Sequence, residues 1–581
     1  MNFDSIDLIV FFGYLLGIMG FGIWISNRDK ALNAQDYFLA SKALPWWAVG
    51  GSLIASNIST EQILGMNGSG YVMGLAIGAY ELMAALSLIV VAKFFLPVFM
   101  EKGIYSMPQF LEVRYNKSVR IGLAFFWVAL FIFVNLTAVF YLGGLAIEGL
   151  TGIPMMYGIA ALVIYSASFS IFGGLKAVVW TDVAQATVLL IGGLVAAYFV
   201  VSAVSDGDGF FAGLSMMYEK APEKFDMILD KSNPSYSQLP GIAVLVGGLW
   251  IVNLYYWGLN QYIIQRALAA KSLQEAQKGV AFAAFLKLLM PLIAVIPGIA
   301  VFVLGGDIEK PDQAFPWVLS NYVPLGLKGL TFAALVAAIG SSVSSMVNST
   351  STIFTLDIYN TIFRKNVSET NLVTVGRISA AVALIIGAVV APALSVLDQA
   401  FQYIQEFTGF LSPGVFVVFI FGLFWRRASA NAAMAVVILS IPLSFLLKIF
   451  FPELPFIDRM ALCFLLLSVT MIVVSLIDNT QKSEPEAAER KFKWLLFGSL
   501  LLITIPSGLK IIISDTEISN WFGYLILGLS AVVTYLLFVE KRKDDAKGIK
   551  IPDGLFKTEL VFNLSAIGVM IVLAFIYALL W

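Results

Sequence analysis

Residues 45–84 read PWWAVGGSLIASNISTEQILGMNGSGYVMGLAIGAYELMA, an apolar stretch of membrane length that is interrupted twice. The interruptions are Ser56-Asn57-Ile58-Ser59-Thr60-Glu61-Gln62 and Asn67-Gly68-Ser69-Gly70. Lipid offers backbone groups no hydrogen-bond partner, so polar residues and glycines at bilayer depth persist only where they face protein or a wet cavity. The stretch therefore predicts a broken membrane helix, and a break at that depth is a candidate binding site. Asn57 and Gln62 each carry an amide that both donates and accepts, as hydroxyl groups do. Glu81 sits inside the next apolar run, where a lone charge costs roughly 2.5–3.5 kcal/mol on insertion scales and is as a rule functional or paired. The competing account is a helix N-cap at Ser59 or Thr60 over Glu61 and Gln62, with a polar contact between helices.

The whole chain extends this pattern. It is 59% hydrophobic and 13% charged, against roughly 25% charged in soluble domains, and its mean hydropathy is +0.88. This is the composition of an all-α polytopic membrane protein. No histidine is present, which removes histidine acid–base chemistry and histidine metal ligation. The single cysteine, Cys463, lies in an apolar run, forms no intrachain disulfide and reads as a small buried apolar group. A net charge of −1 argues against a nucleic-acid partner. The N-terminus has no basic residue ahead of the apolar run 6–26, which is long enough to span and reads as a retained helix rather than a signal peptide.

A need for about 20 apolar residues per crossing gives about 16 spans. They fall near 6–26, 45–70, 73–99, 121–148, 154–172, 179–203, 240–263, 279–305, 327–356, 372–393, 397–424, 430–450, 458–477, 494–513, 520–539 and 560–580. Taking every second connection collects Lys102, Arg114, Lys117 and Arg120, then Arg266, Lys271 and Lys278, then Arg364, Lys365 and Arg377, and the basic runs 482–493 and 541–557. Opposite loops carry Lys220, Lys224, Lys231, Lys310 and Arg459. Positive charge marks the cytoplasmic side, so both termini are expected outside the cytoplasm. The longest outer loop, 204–239, holds an amphipathic FFAGLSMMYEKAPEKF stretch and reads as an extracellular lid or, equally well, as a passive linker.

A second interrupted segment, 240–263, places Asn253, Tyr255, Tyr256 and Asn260 where a plain membrane helix is apolar. It comes five spans after the first, and an odd number starts it from the opposite side. Two such units are the trace of an inverted repeat. The expected organisation is a peripheral helix and loop at 1–44, a first repeat at 45–203, the outer loop 204–239, a second repeat at 240–424 and additional helices at 425–581.

Three groups within this core carry candidate chemistry. Lys287 is mid-span on the second span of its repeat, as Glu81 is on its own, so a pseudo-twofold axis would bring the two charges to related positions. They are either ligand contacts or a structural ion pair. In ALVAAIGSSVSSMVNSTST, Ser341, Ser344 and Ser345 share a helical face with Ser342 beside it. Hydroxyls and freed carbonyls at Ala55 and Ile58 suit a hard cation such as sodium, and small-residue helix packing is the alternative. Asp182 is either an N-cap or a carboxylate for a cation near the serine face.

The segments SLIASNISTEQILGMNGSGY, GGLWIVNLYYWGLNQYIIQRALAAKS and AFQYIQEFTGFLSPG resemble the sodium/solute symporter family, in particular its bacterial sodium/galactose branch of the sodium/glucose cotransporter type. The resemblance runs to about residue 480 and takes in the last span. It implies a five-plus-five inverted-repeat core of the leucine-transporter type, with broken helices and peripheral helices. It also implies that Asn57, Gln62, Glu81, Asn253, Lys287 and Gln405 bind sugar hydroxyls. Tyr256 would be the inner gate and Met66, Tyr80 and Phe401 the outer one. Sodium would bind the carbonyls of Ala55, Ile58 and Ala338 and the hydroxyls of Ser341 and Ser342. Asp182, Ser341, Ser344 and Ser345 match a second sodium site found in some members, which allows two ions per sugar. Ala84 stands where the galactose pattern has a serine, and the spans 494–513 and 520–539 look like an inserted hairpin. The expected function is inward sodium-coupled transport of a monosaccharide, galactose or glucose, without enzymatic activity. A proton symporter titrating Glu81 or Asp182, a symporter of another polyol and a non-transporting sugar sensor are the alternatives.

Overall fold

The computed structural model describes residues 4–28, 34–59, 61–104, 106–363, 368–396, 400–478, 549 and 551–581. Among them, 11 helices are long and apolar enough to cross a membrane, and no strand forms beyond one isolated bridge between Leu44 and Ala270. The expected spans 494–513 and 520–539 lie outside the described residues. The serine-rich span Leu327–Phe363 is central: 94% of its apolar window is buried, against 17% for Ser5–Arg28 and 22% for Leu560–Leu579. The last two face lipid over most of their surface.

The first interrupted segment is a broken helix. Trp46–Asn57 ends where Ile58 turns extended (φ −75°, ψ 103°), and the chain resumes in a π-turn, Glu61–Gly65, that runs into Met66–Met73. The second break falls at Asn260 (φ −81°, ψ 121°), between Leu249–Leu259 and Gln261–Leu268. Helix Leu249–Leu259 is continuous through Asn253, whose side-chain amide donates to the Leu249 carbonyl at 3.1 Å. A polar side chain in an apolar run is thus absorbed by its own helix here, and the backbone opens farther on.

Met155–Val204 is two legs joined at Gly174, which has φ +56° and ψ −161°. A Cβ there would run into the Tyr37 backbone and ring, so only glycine serves. Helices Trp46–Asn57 and Leu273–Ala294 touch backbone to backbone: a Cβ added to Gly50 would meet the Gly279 carbonyl at 2.6 Å. Such close approach is how membrane helices gain packing energy where lipid supplies no hydrophobic drive.

Residues 204–239 are folded. They carry the helix Phe210–Lys220, and the Lys224 ammonium donates to the carbonyls of Val72 (2.6 Å) and Tyr71 (3.0 Å) while lying 4.1 Å from the Phe302 ring centre. A cation at a helix C-terminus satisfies orphan carbonyls and complements the dipole. Met227 N–H donates to the Leu580 carbonyl at 2.8 Å, tying the same loop to the C-terminal helix.

Candidate functional site

The first break builds one wall of a cavity. Asn57 is the last residue of its helix, and the Lys287 ammonium donates both to its Oδ1 and to the Glu81 carboxylate. All three side chains are buried, and Lys287 also lies 5.1 Å from the Trp257 ring centre. A buried ammonium needs a counter-charge and further acceptors to offset its desolvation, and this one has both. Asn57 Nδ2 donates to the Tyr256 hydroxyl at 3.0 Å, which also accepts from Tyr262 at 2.7 Å.

Gln62 holds the break itself. Its Oε1 accepts from Ser59 N–H (3.1 Å) and Ser59 Oγ (3.0 Å), and Ser59 Oγ accepts from Glu61 N–H at 3.2 Å. The N-cap anticipated at Ser59 therefore exists, in the same residues that form the cavity wall. With Ser59 N–H diverted to Gln62, and Gln62 N–H bonded to Ser59 O at 3.2 Å, the carbonyls of Ala55 and Ile58 miss the amides that would follow in a continuous helix.

The cavity encloses about 60 Å³, space for on the order of four waters at roughly 10–15 Å³ each. Its walls bring together all six residues expected to contact a ligand, Asn57, Gln62, Glu81, Asn253, Lys287 and Gln405, with Tyr80, Tyr256 and Ala84. Met66 is fully buried and is not among the residues that line this cavity. The side chain of Phe401 lies outside the described residues. Glu61, Asn135, Tyr255, Asn260 and Thr408 also line the cavity; from the sequence none of them is assigned a ligand contact, although Tyr255 and Asn260 stand in the second interrupted segment and Glu61 in the expected cap. Asn135 and Asn260 leave a signal, a carboxamide within an apolar run.

Beside the break, Ser342 Oγ donates toward the carbonyls of Ser56 (3.3 Å) and Ile58 (3.4 Å). Hydroxyl and freed carbonyl oxygens thus converge, a donor set that fits a hard monovalent cation. Ala338, itself buried, lies one turn away on the same helix.

Asp182 is not an N-cap. Its helical leg begins at Gly174, and two turns on its Oδ1 accepts from Ser341 Oγ (2.6 Å) and its Oδ2 from Ser52 Oγ (2.6 Å) and Ser56 Oγ (3.3 Å). Of the other expected partners, Ser345 Oγ lies 3.0 Å from Ser56 Oγ. Ser344 Oγ turns back to the Ser341 carbonyl at 2.9 Å. Arg266, counted in the sequence as a cytoplasmic loop charge, is fully buried in this cluster. Its Nη2 is 3.6 Å from Asp182 Oδ2 and bonds Ser345 Oγ, and its Nε lies 3.4 Å from Ser52 Oγ. The carboxylate is thus matched by a resident guanidinium.

Residues 37–440 match the profile of the sodium:solute symporter family. Over 595 aligned residues, 99% of this chain and 98% of the relative, the sequence is 47% identical to a sodium/glucose cotransporter of Vibrio parahaemolyticus. It is 33% identical to a sodium/myo-inositol cotransporter 2 of Mus musculus, over 76% of this chain and 69% of that one. Among solved structures, the substrate-bound, outward-open Na⁺-coupled sialic acid symporter superposes with a TM-score of 0.72 at 23% identity, covering 82% of this chain and 99% of the other.

Proposed function

The chain belongs to the sodium:solute symporter family, and from that premise we propose that it carries a monosaccharide inward with sodium by alternating access. It is a multi-pass membrane protein whose core is the five-plus-five inverted repeat of the leucine-transporter type. Sodium is its coupling ion. Galactose or glucose is the cargo we favour, in a bacterial inner membrane with both termini outside the cytoplasm. The two repeats are taken as 45–203 and 240–424. The observation that carries this reading is the Asn57–Lys287–Glu81 constellation set against the Ser342–Ile58 oxygens on either side of one helix break.

In this reading the amides and charges of Asn57, Gln62, Glu81, Asn253, Lys287 and Gln405 receive the sugar hydroxyls. Tyr256 closes the inner side, and Tyr80 and Phe401 the outer one. Sodium takes the carbonyls of Ala55, Ile58 and Ala338 with the hydroxyls of Ser341 and Ser342. An ion there fixes the backbone that Asn57 and Gln62 stand on, so each ligand tightens the other by the same factor. The Arg266 guanidinium beside Asp182 leaves that cluster no charge to neutralise, which supports one sodium per sugar rather than two. One ion falling through about 100 mV gains about 2.3 kcal/mol, and a tenfold sodium gradient adds about 1.4 kcal/mol. Together they sustain a sugar gradient of roughly 500-fold.

Counterflow in proteoliposomes with a panel of labelled monosaccharides tests the proposal. Exchange that needs sodium and selects one hexose supports it. Exchange that follows the pH gradient and ignores sodium, or ligand binding without exchange, overturns it.

A further inference from the structure

Each broken helix presents a carboxamide at its interruption. Asn57 closes the first segment of one, and Asn260 is the extended residue between the segments of the other. The two are used differently. Asn57 is committed at both ends, its oxygen to Lys287 and its nitrogen to Tyr256. Asn260 lines the same cavity and is 2% exposed, and its Oδ1 is enclosed without a hydrogen-bond partner.

On the wall formed by the first break, three acceptor oxygens are already engaged. Lys287 occupies Asn57 Oδ1 and Glu81 Oε2, and Ser59 occupies Gln62 Oε1. A polyol donates a hydrogen bond from every hydroxyl, so a buried polyol needs acceptors that the protein has not used. A buried amide oxygen left without a partner in turn costs free energy that a ligand recovers by filling it. Asn260 is not held by its own helix, as Asn253 is through Leu249, because the backbone has left helical geometry at that residue.

We infer that Asn260 is a specificity-determining residue of the sugar site, its side-chain oxygen accepting from one particular ring hydroxyl at the break of the second helix. The inference rests on the sugar-transport reading above. It assigns the two breaks complementary tasks: the first supplies charge and the sodium cradle, and the second reads one hydroxyl position.

Proteoliposome counterflow with the wild type and Asn260→Ala, run on the parent sugar and its monodeoxy analogues, tests it. In the Asn260→Ala variant the half-saturating sugar concentration rises about tenfold, while the half-saturating sodium concentration at saturating sugar stays within about twofold. One deoxy analogue, lacking the partner hydroxyl, half-saturates both proteins at the same concentration; the others keep the tenfold gap. A gap of equal size for every analogue, or no gap for the parent sugar, overturns the inference. If Asn260→Ala does not reach the membrane folded, Asn260→Leu, which is close in volume and has no acceptor oxygen, carries the same comparison, and the same pair of results supports or overturns the inference. Wild-type counterflow separates the two levels. Its absence defeats the transport reading, whereas normal wild-type exchange with an indifferent Asn260 variant defeats this inference alone.

Discussion

Lys287 and Glu81 meet as a buried ion pair between helices Leu273–Ala294 and Ala79–Val90, with Asn57 as the third member. Removing one partner of such a pair leaves an uncompensated charge, at a cost of about 3–5 kcal/mol, while replacing both with apolar groups is often neutral. Lys287→Ala is therefore expected to lose sugar uptake and to lower thermal stability, and Lys287→Met with Glu81→Leu to regain stability without uptake. Melting curves beside uptake assays separate the two effects. A double variant as unstable as the single one would show that the pair is not the source of the loss.

Ser342 Oγ faces the carbonyls of Ser56 and Ile58 at the break, where sodium is proposed to bind. Ser342→Ala should raise the half-saturating sodium concentration about tenfold and weaken sugar binding at limiting sodium by the same factor. Sugar affinity at saturating sodium should stay near wild type. Sodium titrations of sugar uptake at two sugar concentrations read this reciprocity, and a sugar affinity indifferent to the substitution at every sodium level would refute a shared break.

Ser344 serves its own helix and Asp182 is matched by Arg266. Dual-label flux should give one sodium per sugar, and Ser344→Ala should leave that ratio unchanged. A wild-type ratio of two would mean that a second ion enters the Asp182 cluster despite the guanidinium.

Lys224 ties the loop 204–239 to the end of the first broken helix. Charge-assisted hydrogen bonds of this kind are worth about 1.5–3 kcal/mol. Lys224→Met should therefore make residues 204–239 cleave severalfold faster under limited proteolysis. Equal cleavage rates in wild type and variant would mean that the loop is held by its other contacts.

Much of this arrangement is legible in the sequence because membrane burial penalises polar residues so heavily that each one in a span calls for a reason. Asn57, Gln62, Glu81 and Lys287 stand out on that ground alone, and they share one cavity. The same rule brackets the second break without locating it: of the two asparagines in segment 240–263, Asn253 satisfies itself on Leu249, and the backbone dihedrals put the break at Asn260. Arg266 escapes notice because counting basic residues between spans does not separate a solvated charge from a buried one. Its true partner, Asp182, is far away in sequence and is joined to it only by the fold. Glu61 reads in the sequence as a first-turn residue of a cap, which it is, and the cap doubles as the cavity wall.

The oxygen of Gln62 that bridges to Ser59 keeps the chain unwound, and the same side chain borders the central cavity. With sugar and sodium at the sites proposed, cargo preference and ion affinity are consequently not independent traits. Any replacement at residue 62 chosen to welcome a new solute also rewrites the ion's cradle, and a lineage or an engineer changing one must compensate the other.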